Sequence, residues 1–240
     1  MDMPVTVEVV DPWVKTKDIE KVFAYFVYID EKFSTFKNDS EISKINKGIL
    51  AKKDCSQDMK KVLELCAQTS EQTLGYFNIE KKGKLDPSGL VKGWAIYNAA
   101  NILKQQGFKN FYVDAGGDIQ VSGKNKKNES WKIGIRNPFK RVENVKIINI
   151  ENLGLATSGT AIRGQHIYNP HKPDEKITEI VSLTIIGPNI YEADRFATAA
   201  FAMGKTGINF IETLQGFEGY MIDKSGVATM TTGFESYVKN

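Results

Sequence analysis

Cysteine and histidine are scarce in this 240-residue chain, two of each, and that scarcity removes several kinds of chemistry at once. Cys55 and Cys66 have no second Cys-x-x-Cys pair and no histidine at ligand spacing, so they read as structural thiols and not as a zinc site. No stretch approaches the roughly 18–20 apolar residues of a membrane-spanning helix, so no integral membrane segment is expected. The N-terminus also lacks a basic-then-apolar signal pattern. The expectation is a soluble, cytoplasmic chain, with a mature exported form as the alternative. Charge of one sign is missing too: 32 Lys+Arg stand against 29 Asp+Glu, and the formal charge of +3 never gathers into a long basic run. That argues against nucleic acid as the main partner. Neither the Walker spacing of a P-loop nor a GxSxG nucleophile elbow is present.

What is there is ordinary globular composition, 41% hydrophobic and 25% charged, enough for one compact domain spanning residues 1–240. Val5 to Val9 alternates as a strand. Ile19, Val22, Phe23, Phe26, Ile29 and Phe33 recur at helical spacing and predict a long amphipathic helix facing a core. Ser40 is a candidate cap for a short helix through Ile42 and Ile45. A third helix carries Met59, Val62, Leu63, Cys66 and Ala67 on one face and ends at Gly75. Trp131, Ile133 and Ile135, and likewise Val181, Leu183 and Ile185, alternate as half-buried antiparallel strands. Gly123 to Ser130 reads as a hairpin loop. The mixture predicts an α+β fold, mostly antiparallel sheet packed against helices.

Four clusters are hard to explain by packing alone. The first, Asp39 to Asn46, is either a capped polar turn or a place where Asn46 offers a directional amide to a ligand. The second, Leu85-Asp86-Pro87-Ser88-Gly89-Leu90-Val91-Lys92-Gly93-Trp94-Ala95, turns straight into a helix. Its free N–H groups and dipole suit a phosphate, and Lys92 adds a mobile positive charge; the plain alternative is an ordinary helix start. The third runs from Ala156 to Pro170 and is rich in hydroxyls. It includes His166, able to move protons near neutral pH or simply structural. The fourth, Ala193 to Phe201, sets Asp194 and Thr198 one helical turn apart. A carboxylate and a hydroxyl are hard donors that suit magnesium; alternatively they are a dipole-stabilising Asp and a Thr bonded to its own turn.

In order along the chain, these blocks, together with Met3-Pro4-Val5-Thr6-Val7, Asp114-Ala115-Gly116-Gly117-Asp118-Ile119 and the closing Gly219 to Asp223 strand, resemble the signature of the ApbE family of FAD:protein FMN transferases. The resemblance covers nearly the whole chain. It implies an α+β fold related to other flavin- and pterin-handling domains. It also implies a reaction in which Mg²⁺ assists transfer of FMN from FAD to a Thr or Ser hydroxyl of an acceptor protein, releasing AMP and flavinylating that protein. FAD pyrophosphatase activity and non-catalytic flavin carriage are the alternatives. The resemblance places FAD against Asp86, Ser88, Gly89 and Lys92 on one side and Ser158, Gly159 and Arg163 on the other. Met3 and Asn46 become further ligand contacts, and Asp114, Gly116, Gly117 and Asp118 form a turn that approaches the nucleotide closely. Asp194, Thr198 and the Gly89 carbonyl become the Mg²⁺ ligands. His166 becomes the group that assists the incoming hydroxyl or orients the phosphate. The chain departs from the family pattern at Pro4, at Asn78 after Phe77, and at His171-Lys172-Pro173.

Overall fold

The computed structural model describes residues 3–140, 142–160, 164 and 167–238. The alternating N-terminal segment forms β1 (Val5–Val9). α1 (Thr16–Phe33) follows and buries Val22, Phe26, Ile29 and Phe33, a stripe at the spacing of one helix face. Phe23, expected in that stripe, is 41% exposed. It lies about 100° around the helix from Val22, and the buried face is narrower than the run of apolar residues suggests. Ser40 caps α2 (Glu41–Asn46) by accepting the Ser43 N–H at 3.1 Å. α3 (Gln57–Gln72) buries Met59, Val62, Cys66 and Thr69. Ala67, expected on this face, is exposed, and Gly75 closes the helix end as expected: it follows Leu74 (φ 51°) in the left-handed region at φ 81°, and its N–H donates to the Ser70 carbonyl at 2.7 Å. Cys55 and Cys66 are buried free thiols.

A short hairpin of β2 (Glu80–Lys81) and β3 (Lys84–Leu85) leads into α4 (Ser88–Gln105), and β4 (Phe111–Ala115) follows. The chain then forms β5 (Asp118–Ser122), β6 (Trp131–Arg136), β7 (Asn144–Ile150), β8 (Gly154–Gly159) and β9 (Ile180–Gly187). It ends with α5 (Ile190–Ala202), α6 (Gly207–Glu212), β10 (Glu218–Asp223) and β11 (Ala228–Met230). Seven strands make one sheet in the order β1-β4-β5-β8-β9-β10-β11, antiparallel at every junction. The α+β expectation holds.

Two apolar cores flank this sheet. On one face α4 packs against α1 and α5, and α5 lies across β8 and β9, enclosing Leu90, Ile96, Phe111, Leu183 and Phe201. On the other face β6 and β7 form a separate ribbon whose Trp131, Ile133 and Ile135 meet Ile119, Leu155 and Tyr220 of the sheet. The second layer corrects two expectations. Residues 123–130 are not a hairpin loop, since β5 and β6 belong to different sheets and the segment carries the chain from one to the other. β9 is not half-buried either. Ser182 and Thr184 are buried along with Leu183 and Ile185, because both faces of this strand are covered.

No helix among the described residues is long and apolar enough to cross a membrane. One polar anchor holds the start of the sheet. Asp11, 4% exposed, accepts the N–H groups of Lys109 and Asn110 at 2.8 Å each, and the Asn110 amide at 3.0 Å. Burial pushes the Asp11 carboxyl up, but these bonds from Asn110 and Lys109 outweigh it and hold the group below its ordinary value. Asp11→Ala strands two backbone donors and should cost roughly 2–3 kcal/mol in urea unfolding; a loss under about 0.5 kcal/mol would show the anchor to be idle.

Candidate functional site

The site begins where the sheet comes apart. β5 and β8 pair only at Ile119 with Leu155 and at Gln120 with Gly154. Beyond that point the Asp118 side chain replaces the ladder, its Oδ1 accepting the Thr157 N–H at 3.1 Å. A cavity of about 310 Å³ opens beside it, between the first turns of α4, the side of α5, the β4–β5 turn and the β6 strand.

Asp194 and Thr198 project from α5 onto the floor of this cavity. Asp194 is 3% exposed, and its Oδ2 accepts the Gly93 N–H at 2.7 Å. This approach requires glycine at 93: a Cβ there would stand 2.5 Å from the Asp194 Cβ and 2.8 Å from the Ile190 carbonyl oxygen. Thr198 does not bond to its own turn. Its hydroxyl donates to the Gly89 carbonyl at 3.2 Å, so these two residues meet as the resemblance implies. Lys92 is not the mobile cation expected from sequence. Its ammonium forms an ion pair with Asp118 and lies 3.7 Å from Asp194 Oδ1. Asp118 Oδ2 is buried and meets that ammonium without accepting a hydrogen bond of good angle.

One ammonium between two buried carboxylates leaves a deficit of positive charge. Burial pushes the Asp194 carboxyl up; Lys92 opposes that, Asp118 adds to it, and the balance lies at about 8. Among the described residues no group of three or more His, Cys, Asp or Glu gathers to hold a metal. The available donors are instead the Asp194 carboxylate, the Thr198 hydroxyl and the Gly89 carbonyl. All are hard oxygens, few enough to leave positions for water and phosphate, and they fit Mg²⁺ better than a softer ion.

Other residues named from sequence fall into place unevenly. Ser88, Gly89, Asp114, Gly116, Gly117, Ser158 and Gly159 all line the cavity. Gly116 and Gly117 take φ of 65° and 95°, and Asp114 Oδ1 fixes their turn by accepting the Gly117 N–H at 2.8 Å. Met3 packs on Gly116, where a Cβ would stand 3.1 Å from the Met3 Sδ, a tight contact. Asp86 accepts the Ser88 N–H at 3.1 Å, a capping contact at the start of α4. Asn46 points elsewhere: its amide donates to the Leu85 carbonyl and accepts the Leu85 N–H, both at 2.8 Å, imitating a strand partner for β3. It therefore braces the turn before α4 and does not line the cavity. Arg163 and His166 lie outside the described residues.

Thr157, within the hydroxyl-rich cluster, also lines the cavity, whereas sequence reading missed Tyr112 and the Arg136-Asn137-Pro138 end of β6, which line it too. Tyr112 donates to Asp114 Oδ2 at 2.9 Å, and burial followed by the Asp114 charge pushes its phenol up. The strand alternation that marked Trp131, Ile133 and Ile135 as core also put Arg136 on the opposite side. That was the one available signal, and it does not say which side holds a cavity.

The ApbE family model matches residues 1–81 and 79–221. The FAD:protein FMN transferase of Klebsiella pneumoniae (strain 342) is 28% identical over 151 residues, 59% of this chain and 43% of that protein. The FAD:protein FMN transferase of Vibrio cholerae is 31% identical over 130 residues, 50% of this chain and 39% of that protein. These matches thus span less than half the length of the two curated relatives. Among solved structures, the flavin transferase ApbE from Vibrio cholerae superposes with a TM-score of 0.85 at 20% identity, covering 99% of this chain and 96% of that one. The ApbE protein of Thermotoga maritima gives 0.83 at 20% identity over 98% and 94%. At such identity the likeness is one of fold.

Two outcomes test the geometry. A carboxyl whose folded value is raised contributes stability below its unfolded value of about 3.9 and loses it as pH rises through about 8. In EDTA, Asp194→Asn should therefore melt above the parent protein, by a margin that widens between pH 4 and pH 8 and is level beyond; a margin independent of pH contradicts the buried-charge account. Gly93→Ala should lose about 1–3 kcal/mol in urea unfolding, despite the better helix propensity of alanine; unchanged or higher stability would mean that α4 and α5 are less tightly apposed.

Proposed function

The chain belongs to the ApbE family, and from that premise we propose that it transfers the FMN half of FAD to a Thr or Ser hydroxyl of an acceptor protein and releases AMP. The observation that carries this reading is the charge-deficient pair Asp118 and Asp194 around one Lys92, set beside the Gly89–Thr198 contact at the bottom of a cavity. In this reading Asp194, Thr198 and the Gly89 carbonyl hold Mg²⁺, which when bound offsets charge on the diphosphate of FAD. The first turn of α4 offers the Gly89 N–H and the positive end of its dipole to the same diphosphate. Gly116 and Gly117 let the β4–β5 backbone approach the nucleotide where a Cβ would intrude. Lys92 holds Asp118 and Asp194 in register and keeps the floor from opening.

In the chemical step the acceptor hydroxyl oxygen attacks the FMN-side phosphorus, the bond to the bridging oxygen breaks, and AMP departs with that oxygen. The hydroxyl proton passes to a base, a role assigned to His166 on the resemblance stated above. Positioning and electrostatics carry most of the rate in such transfers.

Incubation with FAD, Mg²⁺ and a threonine-bearing acceptor peptide should yield AMP and a covalently fluorescent peptide in equal amounts. EDTA should abolish both, and Asp194→Ala should lower the rate about 100-fold or more. Free FMN formed at one rate with or without peptide would make the chain a hydrolase, and bound FAD that stays intact would make it a carrier.

A further inference from the structure

The β2–β3 hairpin is built against its own local preferences. Lys81 stands directly opposite Lys84 across the two strands, a like-charge pair that repels. Its two-residue tip is Lys82 at φ 52° and Gly83 at φ 73°. A turn with both central residues left-handed favours Asn or Gly at the first of them, and lysine there is strained. Lys81, Lys82 and Lys84 are all exposed. Among the described residues no carboxylate pairs with any of them; Lys81 lies over the Tyr168 ring at 4.4 Å. Three lysines within four residues thus oppose the local structure, with the Lys81–Tyr168 contact as the one gain among the described residues, which points to a use outside the fold.

The hairpin is also fixed at the mouth of the cavity. Tyr168 donates its hydroxyl to the Glu80 carbonyl at 3.1 Å, and the preceding residue, Ile167, lines the cavity. At the other end, Asn46 clamps Leu85 and the chain passes directly to Ser88 and Gly89 in the cavity wall. The three lysines themselves are not part of that wall. They stand exposed on the hairpin that adjoins the wall, outside the cavity itself.

We propose that this hairpin is an electrostatic docking element for an acidic stretch of the acceptor polypeptide flanking its target hydroxyl, an inference that rests on the transfer reaction proposed above. An acidic peptide fits better than a nucleic acid, because the charge is a small raised tip and the chain's formal balance is only +3.

The test uses the full chain and its Lys81→Gln/Lys82→Gln/Lys84→Gln variant with two fluorescein-labelled peptides. Both peptides carry one threonine, flanked in one by Asp and Glu and in the other by Asn and Gln. At low salt the parent should bind the acidic peptide about tenfold more tightly than the neutral one. That preference should vanish in the variant and in about 0.5 M NaCl, while FAD affinity stays the same in both proteins. Equal binding of the two peptides by the parent, or a preference that survives in the variant, overturns the proposal. A parallel loss of FAD affinity overturns it as well, by assigning the lysines to the dinucleotide. AMP release from FAD is measured alongside: if the parent releases none, the transfer reading itself falls and the acceptor assignment falls with it.

Discussion

Lys92 between Asp118 and Asp194 is the contact on which the rest of the site depends. It joins three elements that are remote in sequence, α4, β5 and α5, at one buried point. Buried ion pairs are weak sources of stability, because desolvating the charges costs about as much as their attraction returns. Here the arithmetic is worse, with two carboxylates and one ammonium, and the Asp194 carboxyl is raised by its burial first and by the Asp118 charge beside it. The arrangement persists because covalent geometry and packing enforce it. Gly93 admits the Asp194 side chain against the α4 backbone, and the surrounding apolar residues of α4 and α5 leave the carboxylate facing only the cavity.

Asp118 does a second thing. By taking the Thr157 N–H it ends the β5–β8 ladder after two residue pairs and so separates the strands without leaving that donor unsatisfied. A sheet buried on both faces would otherwise be closed at this position. The β6–β7 ribbon then roofs the gap on the far side, and its Arg136 end reaches the opening. The gap beside Asp118 thus follows from one side chain substituting for backbone, while the Gly116–Gly117 turn that borders it is held separately by Asp114.

Much of this was legible from sequence, and the failures share a cause. Elements facing a single neighbour declared themselves through period: α1 through Val22, Phe26 and Ile29, and β6 through Trp131, Ile133 and Ile135. β9 did not, because a strand covered on both faces has no polar side to alternate with, and its Ser182 and Thr184 looked like surface residues. The second layer that covers it is made by residues 131–150, and no local pattern announces where a distant ribbon will pack. The site followed the same rule. Asp194 and Thr198 were readable as one helical turn, and Thr198 meets Gly89. That Lys92 would be spoken for by two acids, or that Asn46 would spend its amide on Leu85, depended on contacts between segments tens of residues apart. Tyr112 and Arg136 were missed because an exposed position beside a cavity and one beside bulk solvent look alike in sequence.

The distribution of charge around the cavity constrains what can occupy it. The floor holds Asp118 and Asp194 against a single Lys92, while cationic Lys132 and Arg136 sit toward the ribbon side. Asp114, fixed by the Gly117 N–H and the Tyr112 hydroxyl, adds a further carboxylate near the turn. An anion lowered directly onto such a floor would meet net repulsion in a region where water screens poorly. The floor by itself therefore suits a cation, and a diphosphate finds attraction only at the α4 N-terminus and the ribbon side. On the proposed reading, a dinucleotide that reaches the Asp194 carboxylate does so with positive charge interposed, and the oxygens of Asp194, Thr198 and Gly89 are the donors that would hold that charge.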